Sequence, residues 1–241
     1  MRMHDANWMQ IERYLEQDDR IVLPLGSTEQ HGYLSLETDN ILAERVSAEA
    51  AEPLEIPVLP SLPYGLTPYF AAYPGSPSLR VGTYVAVVRD LLDSLHGQGF
   101  RRFLLVNGHP GSAGALQAAC AQAHAELPDS RCLLVSWWKL PEVQSLVLEL
   151  FGAREGHHAT PGELSVVQRF YPRAVLELPP MERFEAVQQM VAWGAQDFRR
   201  RYPDGRVGSD PSLASASAGD RIFAAASRAL AEAHLRLVED Q

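Results

Sequence analysis

Residues 103–112 read Phe103-Leu104-Leu105-Val106-Asn107-Gly108-His109-Pro110-Gly111-Ser112. Four apolar residues are too few for a helix, and the Asn-Gly pair that stops them is a turn signal. A run this short, with no polar alternation, suits a strand covered on both faces, as strands of parallel sheets are. Working outward, residues 21–25 (Ile-Val-Leu-Pro-Leu), 56–59 and 132–135 have the same character. Between them, helix-length amphipathic stretches fall near 8–17, 39–50, 82–97, 111–126 and 140–151, with two more near 181–201 and 218–238. Short buried strands alternating with helices predict an α/β fold, a three-layer α/β/α sandwich around a mostly parallel sheet. Residues 202–217 are turn-rich and read as a surface loop. No repeat or low-complexity linker divides the chain, so residues 1–241 read as one domain.

Composition narrows the function. The 241 residues are 46% hydrophobic and 21% charged, enough apolar material for a sizeable core. A formal net charge of −9 leaves no surplus of cations to displace counterions from phosphates, which argues against nucleic acid as a partner. No apolar run is long enough to cross a membrane, and the polar start MRMHDANWMQ does not look like a secretory signal. Only Cys120 and Cys132 are present, each in an apolar stretch, so no disulfide framework is implied and a cytoplasmic location is expected. Positive charge rests on 20 Arg and the single Lys139, a bias more often of genome composition than of function.

Metal-type side chains gather after the strands. Residues 21–25 run into Gly26-Ser27-Thr28-Glu29-Gln30-His31-Gly32, and Asp39 follows seven residues later. In an extended chain Glu29 and His31 project to the same side. His109 sits at the end of the second strand, and open α/β sheets bind ligands outside the carboxyl ends of their strands. A third group is His157-His158-Ala159-Thr160-Pro161-Gly162-Glu163, where Pro161 suits a first helical turn. Carboxylate and imidazole together suit zinc, iron or manganese. Each residue also has a structural reading. Asp39 can be a dipole-favoured carboxylate at a helix start, His109 a ring that caps its turn, and Glu163 the partner of Thr160 in a capping box.

The segments LPLGSTEQHG, the following TD, FLLVNGHPG and HATPGELS together resemble the creatininase (creatinine amidohydrolase) family, whose usual forms are GSxEQHGxHLPxxTD, VNGHGGN and HAGExETS. The likeness extends through most of the chain, with YPGSPSL (73–79) and GRVGSDPSLAS (205–215) matching weaker family segments. It implies a creatininase-like fold, two divalent metal ions (Zn, Mn or Fe) and a homohexamer. Carried over by position, Glu29, Asp39 and His109 hold one ion, and His31 and Asp39 the other with a further carboxylate. In creatininase that carboxylate stands two residues after the NGH histidine, where this chain has Gly111, so Glu163 is the candidate replacement. His158 matches the histidine placed to act on the leaving nitrogen. The chain departs from the pattern in the pocket: HGYLSLETD is one residue shorter than the family's loop and lacks its second histidine, NGHPGS lacks the family's Asn, and Phe70 stands where a histidine is frequent.

The reaction implied is hydrolysis of a C–N bond in a small, cyclic or open, non-peptide amide by a hydroxide shared between two ions roughly 3.5–4 Å apart. The catalytic candidates are His158, as proton donor, and Glu163. Tyr33, Tyr73, Trp137 and Trp138 are candidate substrate-binding residues, and core packing is the other reading for each. Creatinine itself does not follow from the altered pocket. Other readings are deformylation or processing of a modified peptide on the same scaffold, and a metal- or metabolite-binding protein without turnover. No G-x-S-x-G elbow supports a serine hydrolase.

Overall fold

The structure, a computed structural model, describes residues 1–171, 185–188 and 193–239. Three strands, β1 (Arg20–Leu25), β2 (Arg102–Asn107) and β3 (Arg131–Ser136), pair in parallel in the order β1-β2-β3. Their register is level: Arg20 faces Arg102, which faces Arg131, and Leu25 faces Asn107, which faces Ser136. The eight α-helices among the described residues are α1 (Trp8–Leu15), α2 (Thr38–Ala51), α3 (Val81–Gly97), α4 (Ala113–Glu126), α5 (Pro141–Phe151), α6 (Pro161–Phe170), α7 (Ala195–Arg201) and α8 (Ala216–Glu239). None is long and apolar enough to cross a membrane.

Strand alternation makes the three layers. Val22, Leu104 and Val106 face a core closed by Leu42 and Val46 of α2, Val143 of α5, Val166 of α6 and Ile222 and Leu230 of α8. Ile21, Leu23, Phe103 and Leu105 face the opposite way, against Val88 and Leu92 of α3 and Leu116 and Ala119 of α4. β1 and β2 are sealed on both sides, which explains their unbroken apolar runs.

Three sequence expectations change. The expected strand at 56–59 is present only as isolated parallel bridges, Val22 to Val58 and Leu25 to Leu62. Pro57, Pro60 and Pro63 carry no N–H, so a continuous ladder cannot form there. The helix expected over 181–201 is described only as α7; residues 185–188 are not helical, Gly194 at φ 126° breaks the chain just before α7, and the rest lies outside the described residues. Residues 202–217 are no simple surface loop, because Val207 is fully buried and bridges His158.

Candidate metal centre

The level register delivers two loops from the same end of the sheet. After β1 the chain passes Ser27, Glu29 and His31 and turns back to α2, which carries Asp39 in its first turn. That return is tight: the Leu34 N–H donates to the His31 carbonyl at 2.9 Å and the Glu29 N–H to the Leu36 carbonyl at 3.0 Å. After β2, the Asn107 side chain accepts the His109 N–H at 3.0 Å and so sets the turn that presents the ring.

The side chains converge. His31 Nε2 lies 3.1 Å from Asp39 Oδ1, and His109 Nδ1 lies 3.0 Å from Asp39 Oδ2 and 3.1 Å from Glu29 Oε2. All four residues are almost completely buried. One ligand atom each from Glu29, Asp39 and His109, and likewise from His31, Asp39 and Glu163, lie within 4.8 Å of one another. Asp39 belongs to both sets, and its Oδ2 also accepts from Ser27 Oγ at 2.8 Å.

This donor set fits divalent ions. Glu29 Oε2 and Asp39 Oδ1 are buried without any hydrogen bond, although each has an imidazole nitrogen 3.1 Å away. Close, misaligned donor atoms are what ligands of a common ion look like, whereas a hydrogen-bonded pair would be aligned. Charge points the same way. Burial raises Glu29 and Glu163 above the ordinary carboxylate range, with the imidazoles His109 and His31 respectively opposing it. Burial also opposes ionisation of Asp39, yet His31 and His109 hold it below that range. Burial works against a charged His31, but Asp39, Glu163 and Glu29 push it up to about 10. The same contest, with Glu29 and Asp39 as partners, leaves His109 well above its usual value. Protons here do the neutralising that a metal cation would do, and metal binding would release them.

Outer contacts orient the ligands. His109 Nε2 bonds the Leu66 carbonyl at 2.8 Å, which commits its proton there and turns Nδ1 to the carboxylates. Gly111 leaves room for that bond: a Cβ on it would lie 2.5 Å from both His109 Nε2 and the Leu66 oxygen. The position therefore has no space for a side-chain carboxylate, and the carboxyl that converges with His31 and Asp39 comes from Glu163 of α6. Glu163 is also the capping residue, accepting from the Thr160 N–H at 2.9 Å while its own N–H donates to Thr160 Oγ1 at 3.1 Å. The capping box is thus present, and the same carboxyl lies among the converging ligand atoms of His31 and Asp39.

His158 stands beside the cluster. Its Nε2 bonds the Gln30 carbonyl at 2.7 Å, its Nδ1 lies 3.8 Å from Glu29 Oε1, and its ring stacks on Phe70 at 4.4 Å. Burial first, and the charge on His31 second, hold it well below the usual imidazole range, so it is neutral. Ala159, at φ 55°, is a rare left-handed non-glycine residue that aims the loop between His158 and Thr160.

A cavity of about 410 Å³ opens against Glu163 and is lined by Trp137, Trp138, Val147, Glu155 and His157 among others. Neither Tyr33 nor Tyr73 lines it. Tyr33 sits half-buried in the turn after His31. Tyr73 packs elsewhere in the loop region: its ring meets Phe198 edge-on and its hydroxyl donates to the Tyr202 carbonyl. Sequence reasoning missed Ser27, the Leu66 and Gln30 carbonyls, and Glu155. Backbone acceptors leave no side-chain signature, and Ser27 was legible only as part of its motif.

A parallel α/β sandwich with a buried carboxylate–imidazole cluster at its strand ends is the build of a metal-dependent hydrolase. The chain belongs to the creatininase family, whose family model, described as creatinine amidohydrolase, matches residues 4–234. It is 28% identical over 187 residues to a creatinine amidohydrolase of Pseudomonas putida, covering 71% of this chain and 72% of that one. It is also 28% identical over 222 residues to a mycofactocin precursor peptide peptidase of Mycolicibacterium smegmatis, covering 85% and 79%. A solved creatininase variant of Zn-Zn type superposes with a TM-score of 0.80 at 25% identity, over 96% of each chain.

Proposed function

We propose that the chain hydrolyses the C–N bond of a small amide at a centre of two divalent ions. The observation that carries this reading is Asp39, whose two carboxylate oxygens face His31 and His109 separately. Glu29, Asp39 and His109 would hold one ion, and His31, Asp39 and Glu163 the other. Bound divalent ions supply Lewis acidity, which makes water nucleophilic near neutral pH and polarises an amide carbonyl. The remaining work falls to the chain. The Nε2 proton of His158 is committed to Gln30, so Nδ1 is its working atom. A neutral ring takes a proton there from the attacking water and hands it to the departing nitrogen, which leaves poorly as an anion. Phe70 and the surrounding core exclude bulk water from that transfer. Trp138 and Trp137 wall the cavity in which the substrate body would rest.

A second reading, cleavage of a peptide amide, is favoured by one observation: the mycofactocin precursor peptide peptidase aligns with 85% of this chain. The chemistry at the carbonyl is the same and only the occupant of the cavity differs. From the absence of a disulfide framework in the sequence we place the protein in the cytoplasm, and following the family resemblance we read it as a homohexamer, which light scattering in solution tests.

The deciding experiment loads metal-free protein with Zn, Mn or Fe and screens lactams, formamides, N-carbamoyl compounds and short peptides for released amine. Turnover that depends on metal supports the proposal, and the active substrate class chooses between the two readings. Full loading with two ions and no turnover of any amide would reduce the protein to a metal-binding homologue.

A further inference from the structure

β3 is an outermost strand of the sheet, with β2 on one side and no strand on the other among the described residues. The far edge of the sheet is covered, since Val22 and Leu25 of β1 bridge to Val58 and Leu62. β3 also differs in burial. Cys132, Leu133, Leu134 and Val135 are apolar, yet each is only half-buried, whereas β1 and β2 are sealed. A parallel strand left open in this way presents both its apolar side chains and its main-chain polar groups.

Two openings follow this edge. One, of about 740 Å³, is lined by Cys132, Leu133 and Val135 with His124 of α4 and Arg236 of α8. The other, of about 300 Å³, is lined by Leu134, Val135 and Ser136 with Gln117 of α4 and Pro141 of α5. α4 covers one face of the sheet, and α5 and α8 cover the other. A space that touches helices of both faces and the strand between them lies along that strand's outer edge. Val135 belongs to both openings, so they form one groove beside β3. The main chain is turned toward it. The Arg131 N–H donates inward, to the Arg101 carbonyl at 2.8 Å, and the Cys132 N–H donates to His124 Nε2 at 3.2 Å. Alternation along the strand therefore points the N–H and C=O of Leu134 outward, into the groove.

Charge selects the occupant. In a chain of net charge −9, neither opening is lined by a single aspartate or glutamate. Arg131 and Arg236 flank one end of the groove and Lys139 the other. All three are exposed and without an ion pair among the described residues. We propose that the outer edge of β3 is a docking groove for an extended acidic peptide segment, which adds a strand beside β3. Main-chain bonds to Leu134 would hold the segment, Leu133 and Val135 would pack its apolar positions, and the flanking cations would take its carboxylates. The six residues of β3 span roughly 17–20 Å, room for a segment of about five residues. A second copy of this chain is the poorer occupant. Edge-to-edge pairing would set Arg131, Arg236 and Lys139 of one chain beside the same cations of the other. None of these residues is a candidate metal ligand, so docking here is separate from hydrolysis.

The test titrates the full chain into fluorescein-labelled Glu-Val-Glu-Val-Glu-Val-amide and follows fluorescence anisotropy. Saturable binding is expected, weaker by about 5-fold or more when salt is raised from low to high concentration. The matching Lys-Val peptide should not bind. Arg131→Glu combined with Arg236→Glu should weaken binding about 10-fold or more, and Lys139→Glu tests the other end if the double variant folds poorly. On saturation, hydrogen exchange at the Leu134 N–H should slow about 10-fold or more, while Leu133, whose N–H faces β2, is unchanged. No saturable binding, equal binding of the lysine peptide, or binding that leaves Leu134 exchange unchanged would each overturn the proposal. Slow exchange at Leu134 in associated, peptide-free chains would also overturn it and assign the edge to a second copy.

Discussion

Asp39 and His109 lie 70 positions apart in sequence and 3.0 Å apart in space, one opening α2 and the other closing the loop after β2. The pair links the two halves of the metal centre, since Asp39 also reaches His31 through its other oxygen.

Replacing Asp39 should therefore empty both positions. Asp39→Ala is expected to bind neither ion after dialysis against zinc, by elemental analysis, and to show no hydrolysis. Retention of one ion per chain would mean that Asp39 serves a single site.

Glu163→Gln separates the two duties of that residue. Glutamine at this position still completes a capping box, so α6 and the melting temperature of the metal-free protein should be unchanged. Metal content should fall from two ions to about one. If two ions remain, Glu163 is a cap alone.

For His158 the expected signature is chemistry without binding. His158→Ala should keep full metal occupancy while kcat falls roughly 10²–10⁴-fold. The deficit should shrink for anilides, whose nitrogen needs less protonation to depart. Because Glu29, His31 and His158 also present converging ligand atoms, metal loss in this variant would make His158 a ligand instead.

Gly111→Ala tests the packing behind His109. Its methyl group would lie 2.5 Å from both His109 Nε2 and the Leu66 oxygen. The variant should lose about 1–3 kcal/mol of stability and bind metal more weakly. Gly111→Glu should be worse still rather than restore a creatininase-like ligand; a gain in metal affinity would disprove the steric account.

His234, buried in α8, has neither ring nitrogen hydrogen-bonded among the described residues. Burial, with Arg20 adding to it, pushes its pKa down to about 4. The unfolded chain binds this proton near pH 6.5 and the folded chain does not, so the stabilisation is complete above about 6.5 and lost as pH falls toward 4. The loss amounts to about 3 kcal/mol. His234→Leu should flatten the fall in melting temperature between pH 7 and pH 4.5, and an unchanged slope would remove His234 from the account.

The sequence made the layered fold legible because β1 and β2 are sealed on both faces and so show unbroken apolar runs. It misled at 56–59, where Pro57 and the following Pro60 and Pro63 interrupt the pairing, and at 185–188, where helical character in the sequence did not become helix. Candidate ligands were legible because carboxylates and imidazoles at strand ends are rare. What holds them was not: the Leu66 and Gln30 carbonyls contribute through backbone atoms, and the edge-on partner of Tyr73 is Phe198, 125 positions later.

The tight return between His31 and Asp39 has an implication for how this site can change. Both ends of that segment are pinned, by the turn from His31 to Leu34 and by the first turn of α2, while Leu36 and Glu37 at its crest are exposed. The backbone of the crest is held as well, the Leu36 carbonyl by the Glu29 N–H at 3.0 Å and the Glu37 carboxylate by Thr28 Oγ1 at 2.8 Å, so what can vary there without displacing a metal-facing side chain is the exposed Leu36 side chain rather than the length. The centre and its rim can therefore diverge independently: the backbone between His31 and Asp39 keeps its path while the side chain presented at its crest changes.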